Sequence, residues 1–142
     1  MAHVNPSAAE LRALLTTANT IAVVGASADP TRPSHGVMKR LLSAGYRVIP
    51  VNPGASEVLG QKAYAALLDI PETIDIVDVF RRPQFTPEIA DQAGEIAAKA
   101  LWLQQGIVNQ DAADRARAAG LQVVMDLCIA VELALLGIDK AR

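Results

Sequence analysis

Residues 21–34 read IAVVGASADPTRPS, and no other stretch indicates as directly how the chain folds. Four consecutive apolar residues followed by Gly25 are typical of a strand that is buried on both faces and ends in a tight turn. Ala26 and Ser27 continue the turn with small side chains, and Ser34 stands where it could cap a following helix. This succession predicts the first strand and helix of a parallel sheet.

The same alternation of apolar runs and helical segments continues along the chain. Five strands are predicted, at residues 21–25, 46–51, 74–80, 100–103 and 122–125. Six helices are predicted, at residues 7–18, 34–44, 63–68, 87–99, 110–119 and 128–136. Gly45, Gly120 and Gly137 each follow a predicted helix, where glycine commonly ends it.

These elements predict an α/β fold: a Rossmann-like, three-layer, doubly wound domain. Its five-stranded, mainly parallel sheet would carry helices on both faces, because crossovers between parallel strands are right-handed. The expected strand order is 3-2-1-4-5, and a ligand crevice is expected at the carboxyl ends of the strands, beside the first one.

Length and composition favour one domain. With 142 residues, of which 51% are hydrophobic, the chain can bury one sizeable core. We therefore expect a single domain over residues 1–142, with its core at about 20–137 and an N-terminal helix at about 7–18. The sequence contains no internal repeat and no low-complexity linker.

The charge pattern limits the partners. Thirteen basic and 15 acidic residues give a net charge of −2 without a basic block, which argues against nucleic acid and anionic membranes as partners. The opening residues, MAHVNPSAAE, resemble neither a signal peptide nor a membrane anchor, and the one cysteine cannot form an internal disulfide, so a cytoplasmic location is expected. The two histidines, His3 and His35, lack metal-ligand spacing. The apolar last helix could be buried within a homodimer as readily as in the core.

The loop from Gly25 to Ser34 is a candidate anion site. Backbone N–H groups in a small-residue turn and at a helix start suit a phosphate group. The alternative is that the glycine only permits a turn and the serine only caps a helix. The loop does not match the dinucleotide motif G-x-G-x-x-G, because Ser27 and Pro30 replace two of its glycines.

Two further candidate segments follow the second and third strands. Asn52 and Pro53 stand where a NAD-binding domain usually has an acidic residue, and a plain Asn-Pro-Gly turn is the alternative. Phe80 precedes Arg81 and Arg82, whose guanidinium groups suit phosphate oxygens, although surface pairing with acids is the alternative. Since successive side chains of an extended segment diverge, only one arginine is expected to face the ligand fully.

The last two strands end in residues of mixed character. Gln104 or Gln105 is a candidate polar contact near the reactive end of a ligand. Trp102 is expected in the core, and Cys128 is interpreted mainly as a buried packing group.

Taken together, AVVGAS…RPS, YRVIPVNP, DIVDVFRRP, LWLQQGI and VVMDLC resemble the small, free-standing CoA-binding proteins of bacteria and archaea. The resemblance covers residues 20–136 and implies the Rossmann-like fold of the CoA-binding domain in the succinyl-CoA synthetase α subunit. It implies coenzyme A as cofactor. The residues implied as contacts are Gly25, Ala26 and Ser27 at the diphosphate, Arg32 and Ser34 beside it, Asn52 and Pro53 at the adenosine, and Phe80, Arg81 and Arg82 over the nucleotide.

The chain departs from this family pattern in two places. Leu127 replaces an arginine, and the last helix lacks a histidine, so no role toward the thiol end is transferred. Ligase activity is not transferred either, because the synthetase's catalytic histidine lies in a second domain. The sequence therefore favours a non-catalytic module that binds CoA or an acyl-CoA. The alternative is an oxidoreductase that uses NAD(P) or the CoA thiol, and a third option is an interaction domain without ligand.

Overall fold

In the computed structural model, which describes residues 2–141, strands and helices alternate along most of the chain. The helices are α1 (Ala8–Thr17), α2 (Pro33–Ser43), α3 (Thr86–Glu95), α4 (Gln110–Ala118) and α5 (Ile129–Leu136). The strands are β1 (Thr20–Val24), β2 (Arg47–Val51), β3 (Glu57–Val58), β4 (Gln61–Lys62), β5 (Ile76–Val79), β6 (Ala100–Leu103) and β7 (Gln122–Val124). Short 3-10 turns lie at Leu67–Asp69 and Pro83–Phe85.

Five of the strands form one parallel sheet in the order β2-β1-β5-β6-β7, which confirms the predicted α/β, Rossmann-like fold. β3 and β4 form a separate two-stranded antiparallel hairpin. In the large sheet Val24 pairs with Val51 on one side and with Val79 on the other. The carboxyl ends of these central strands are therefore level, and the loops that follow them start at one edge of the sheet.

The predicted strand order 3-2-1-4-5 is wrong, because the order by position in the chain is 2-1-3-4-5. The connection from β2 to β5 crosses over β1 instead of continuing outward. Leu67, Ile70 and Ile74 of this connection pack with α3 and α4, on the sheet face opposite α2. A right-handed crossover on that face must place its strand on the far side of β1.

The helix predicted at residues 63–68 is absent for a local reason. Tyr64 pairs with the outer edge of β2: its N–H donates to the carbonyl of Pro50 (3.0 Å), and its carbonyl accepts from the N–H of Asn52 (2.9 Å). Backbone groups used in this way cannot also form a helix, and only the 3-10 turn at Leu67–Asp69 follows.

Two helix boundaries also differ from prediction. The helix predicted to extend to residue 99 ends at Glu95, and Ala97 has a left-handed backbone with φ 55° that α-helical structure does not accommodate. Ser34 does not cap α2, since the helix begins at Pro33 and Arg32 is its N-cap residue. Proline suits the first helical position because its missing N–H would have no partner there.

The core lies on both faces of the sheet. One face is covered by α1, α2 and α5, and the other by α3 and α4. Trp102 is fully buried on the first face, as predicted. On the second face α3 and α4 approach each other closely. A Cβ added to Gly94 would stand only 2.8 Å from the Cβ of Ala119. No helix among residues 2–141 is long and apolar enough to span a membrane.

Candidate functional site

A cleft of about 1130 Å³ lies along the carboxyl ends of β1, β2, β5 and β6. This volume slightly exceeds the range of about 300–1,000 Å³ that is usual for small-molecule sites. All eleven candidate residues line the cleft, namely Gly25, Ala26, Ser27, Arg32, Ser34, Asn52, Pro53, Phe80, Arg81, Arg82 and Gln104. The structure thus brings them together, while their contacts with a ligand stay a prediction.

The loop after β1 forms without strain only with glycine at its start. Gly25 has φ +89°, and its N–H donates to the carbonyl of Val51 (3.0 Å). A Cβ at this position would stand 2.8 Å from the carbonyl oxygen of Phe80, which is closer than carbon and oxygen can approach. The N–H groups of Ala26 and Ser27 have no acceptor within the described residues 2–141. They are therefore available to an anion.

Helix α2 starts at the cleft, and no side chain caps its N-terminus. The side chain of Arg32 forms no capping hydrogen bond. The Ser34 side chain is only 4% exposed and lines the cleft, yet its hydroxyl has no hydrogen-bond partner in the part of the chain that is described. A helix N-terminus carries a partial positive charge, so these groups suit a phosphate.

Asn52 supports the loop and does not hold out its amide. Its Nδ2 donates to the carbonyl of Ala26 (2.7 Å), and its Oδ1 accepts from the N–H of Gly54 (2.7 Å). Both ends of the side-chain amide are thus engaged within the protein. Asn52 connects the end of β2 to the turn after β1, and it lines the cleft from this fixed position.

Three arginines, Arg32, Arg81 and Arg82, border the cleft without pairing with an acid. None of them lies in an ion pair with any Asp or Glu among residues 2–141. The Arg81 guanidinium lies over the ring of Phe85, 4.6 Å from its centre. The acidic residue that lines the cleft, Glu88, has no ion-pair partner either in the described chain. The cleft therefore combines three unpaired positive charges with one negative charge.

The far end of the cleft lies where β6 leads toward α5. Gln104 is 4% exposed, and its Oε1 accepts from the N–H of Ile129 (3.1 Å). The indole N–H of Trp102 donates to the carbonyl of Leu127 (2.8 Å). Cys128, which lies between Leu127 and Ile129 in the chain, is partly exposed and lines the cleft. It is therefore not the buried packing group that the sequence suggested.

Several lining residues were not predicted. They comprise Val24, Val37 and Val51, the segment 65–67, Pro83, the helix α3 residues Glu88, Ile89 and Gln92, and Phe85, Ile107 and Cys128. Phe85 is the notable one, since it is a 43% exposed aromatic residue beside an arginine. Its position four residues after Arg81, before a helix that starts at the carboxyl edge of the sheet, was a signal in the sequence.

Two aspartates near the site have shifted pKa values. Asp78 lies two residues before Phe80, is fully buried, and neither carboxyl oxygen has a hydrogen-bond partner in the described chain. Burial raises the pKa of Asp78 well above its ordinary value. By contrast, hydrogen bonds from the N–H and then the hydroxyl of Thr31 hold the pKa of the exposed Asp29 below its usual range.

Comparisons with known proteins identify chains of similar sequence and similar fold. The chain is 47% identical over 127 residues to the uncharacterized protein YneT of Bacillus subtilis, covering 89% of this chain and 94% of that one. A hypothetical protein from Pyrococcus horikoshii has the same fold, with a TM-score of 0.90 at 41% identity, covering 96% of this chain and 99% of that one.

A third relative is a larger enzyme. The ADP-forming acetate–CoA ligase I subunit alpha of Pyrococcus furiosus is 33% identical over 86 residues. The match covers 56% of this chain but only 19% of the ligase subunit. The family model described as the CoA binding domain matches residues 19–134, more than three quarters of the chain. The chain therefore belongs to the CoA-binding domain family.

Proposed function

We propose that the chain binds coenzyme A or an acyl-CoA along the carboxyl ends of the strands, as a binding module without a reaction of its own. The observation that carries the proposal is the convergence of three unpaired arginines and two unbonded N–H groups, those of Ala26 and Ser27, on one cleft. Such groups match a ligand with several phosphates, because arginine forks and backbone N–H groups both bind phosphate oxygens.

The proposed orientation combines the contacts that the family resemblance implies with the order of the strands. The diphosphate lies between the turn at Gly25 and the start of α2, and the adenosine lies toward Asn52 and Pro53 at the end of β2. Arg81 and Arg82 close over the nucleotide. Because β2 is an outer strand of the sheet, the rest of the ligand extends the other way, across β5 toward β6.

The same site is poorly suited to NAD. A dinucleotide-binding domain places an acidic side chain at the end of its second strand to bind the ribose hydroxyls. Here Asn52 occupies that position, and both ends of its amide are already hydrogen-bonded. The chain also lacks the second and third glycines of the dinucleotide motif.

The test is a comparison of ligands on dialysed, reduced protein. We expect CoA to raise the melting temperature, since a ligand that binds only the folded state stabilises it, and NAD at equal concentration to have little effect. Calorimetric titration with both ligands should give the same ranking. Stabilisation by NAD and not by CoA would overturn the proposal. Native mass spectrometry of freshly purified protein would identify any ligand that is retained.

A further inference from the structure

One side of helix α3 forms a wall of the cleft. The residues of this wall, which we call the α3 stripe, are Phe85, Glu88, Ile89 and Gln92. They stand at positions i, i+3, i+4 and i+7, which is the spacing of a single helix face. Ala90 and Ala93, by contrast, are buried in the core. The helix therefore presents one continuous row of side chains to the cleft, over about two turns.

The two polar side chains of the α3 stripe have no partner within the protein. Among residues 2–141, the Glu88 carboxylate and the Gln92 amide take part in no side-chain hydrogen bond, and Glu88 forms no ion pair. Asp91, on another side of the same helix, pairs with Arg115 of α4 (2.7 Å). The polar groups that face the cleft are thus the ones left free for a ligand.

The Glu88 carboxylate limits which part of a ligand can lie beside it. An ionised carboxylate accepts hydrogen bonds and donates none, and it repels phosphate groups. It also lies apart from the three arginines of the cleft, since it pairs with none of them. A ligand with several phosphates therefore fits only if its phosphates lie by the arginines and an uncharged part with N–H or O–H donors lies by Glu88.

The pantetheine arm of CoA has this character, and this step rests on the proposed function. With the adenosine at β2 and the diphosphate at β1, the arm crosses β5, the strand that precedes α3. The arm offers amide N–H groups and a hydroxyl as donors, amide carbonyls as acceptors, and a pair of methyl groups. The α3 stripe offers an acceptor at Glu88 and both a donor and an acceptor at Gln92. Ile89 and Ile107, which also line the cleft, are apolar partners for the methyl groups.

We propose that Glu88 and Gln92 bind the pantetheine arm and select CoA over nucleotides that carry the same phosphates without an arm. Glu88 accepts a hydrogen bond from an N–H or the hydroxyl of the arm, and Gln92 Nε2 donates to one of its carbonyls. An acidic residue in the first turn also stabilises a helix, whatever ligand is bound. The selectivity between two ligands separates these roles, because helix stabilisation would affect both ligands alike.

The experiment is calorimetric titration with CoA and with adenosine 3′-phosphate 5′-diphosphate, which is the nucleotide part of CoA without the arm. Glu88→Ala should weaken CoA binding about 10-fold or more, because a hydrogen bond to a charged group is lost. Gln92→Ala should weaken it about 2- to 10-fold. Neither substitution should weaken binding of the nucleotide without the arm. The matched control is Glu95→Ala, which removes an exposed carboxylate from the same helix outside the cleft and should leave both affinities unchanged.

The same titrations distinguish failure of this proposal from failure of the proposed function. If wild-type protein binds CoA but Glu88→Ala weakens both ligands equally, or strengthens both, recognition of the arm by the α3 stripe is wrong and CoA binding stands. The same holds if the wild type binds CoA no more tightly than the nucleotide without the arm. If the wild type does not bind CoA at all, both proposals fail.

Discussion

The side chain of Arg81 crosses directly over Gly25: its Cδ lies 3.3 Å from the point where a Cβ on Gly25 would stand. The carbonyl oxygen of Phe80 is still closer to that point, at 2.8 Å. The turn after β1 and the segment after β5 are therefore packed against each other at the centre of the cleft. Each segment limits where the other can lie, so a substitution in one segment should displace the other.

Replacing Gly25 with alanine should cost about 1–3 kcal/mol in the free energy of unfolding, because the residue has φ +89° and its Cβ would meet Phe80. CoA affinity should fall as well, since Arg81 must move. Gly36→Ala is the matched control. It adds the same methyl group inside α2 where no atom lies within 4 Å, and it should stabilise by about 0.5–1 kcal/mol. Urea unfolding of both variants measures the difference, and equal effects would contradict the packing described here.

Replacing Arg81 or Arg82 with alanine should weaken CoA binding, and the two losses of affinity should differ in size. Arg81→Ala should cost about 1.5–3 kcal/mol, or about 10- to 150-fold in affinity, because a charge-assisted contact is lost. Arg82→Ala should have the smaller effect, because only Arg81 is held between Gly25 and Phe85. Both variants should flatten the salt dependence of binding. Calorimetric titration at two salt concentrations tests this, with Lys39→Ala on the exposed side of α2 as control. Wild-type affinity in both arginine variants would remove this segment from the site.

Phe85→Ala should reduce CoA affinity by about 2- to 5-fold, since an exposed cation–π contact contributes about 0.5–1 kcal/mol to holding the arginine in place. The same substitution made in the Arg81→Ala background should have almost no further effect. A double-mutant cycle by calorimetry measures this coupling. Additive losses would show that Phe85 acts on the ligand independently of Arg81.

Asp78→Asn should change how stability depends on pH. Because the pKa of Asp78 is raised in the folded protein, the folded state binds its proton more firmly than the unfolded state does. The stability associated with this proton is fully present below the unfolded pKa and is lost as pH rises through the folded pKa. The free energy of unfolding of Asp78→Asn relative to wild type should therefore increase with pH across that interval and then level off. Denaturant unfolding over a pH series checks this, and parallel curves would contradict it.

The strands and the candidate site could be predicted from the sequence, because both depend on local patterns. Runs such as IAVV and ALWL show their burial in consecutive apolar residues, and the loops that follow parallel strands must meet at one edge. All eleven candidate residues line the cleft for this reason. Cys128 was harder to place, because a partly exposed lining residue has no pattern of its own.

The strand order was predicted wrongly because it depends on a connection that has little regular structure. A helix at residues 63–68 would have suited an outward crossover, but Tyr64 pairs with β2 instead. One residue did carry the information. Pro50 has no N–H to donate, and proline in a sheet is confined to edge strands or bulges, so β2 could have been recognised as an outer strand.

The pairing of Tyr64 with Pro50 also bears on self-association. An uncovered outer strand presents unpaired N–H and carbonyl groups that can template the addition of another chain, and proteins avoid this by covering or interrupting the edge. Here the segment that covers β2 continues into residues 65–67, which form one wall of the cleft. The residues that cover the outer edge of β2 and residues that line the cleft thus belong to one continuous segment, so a substitution that displaced residues 65–67 would also uncover an edge of the sheet.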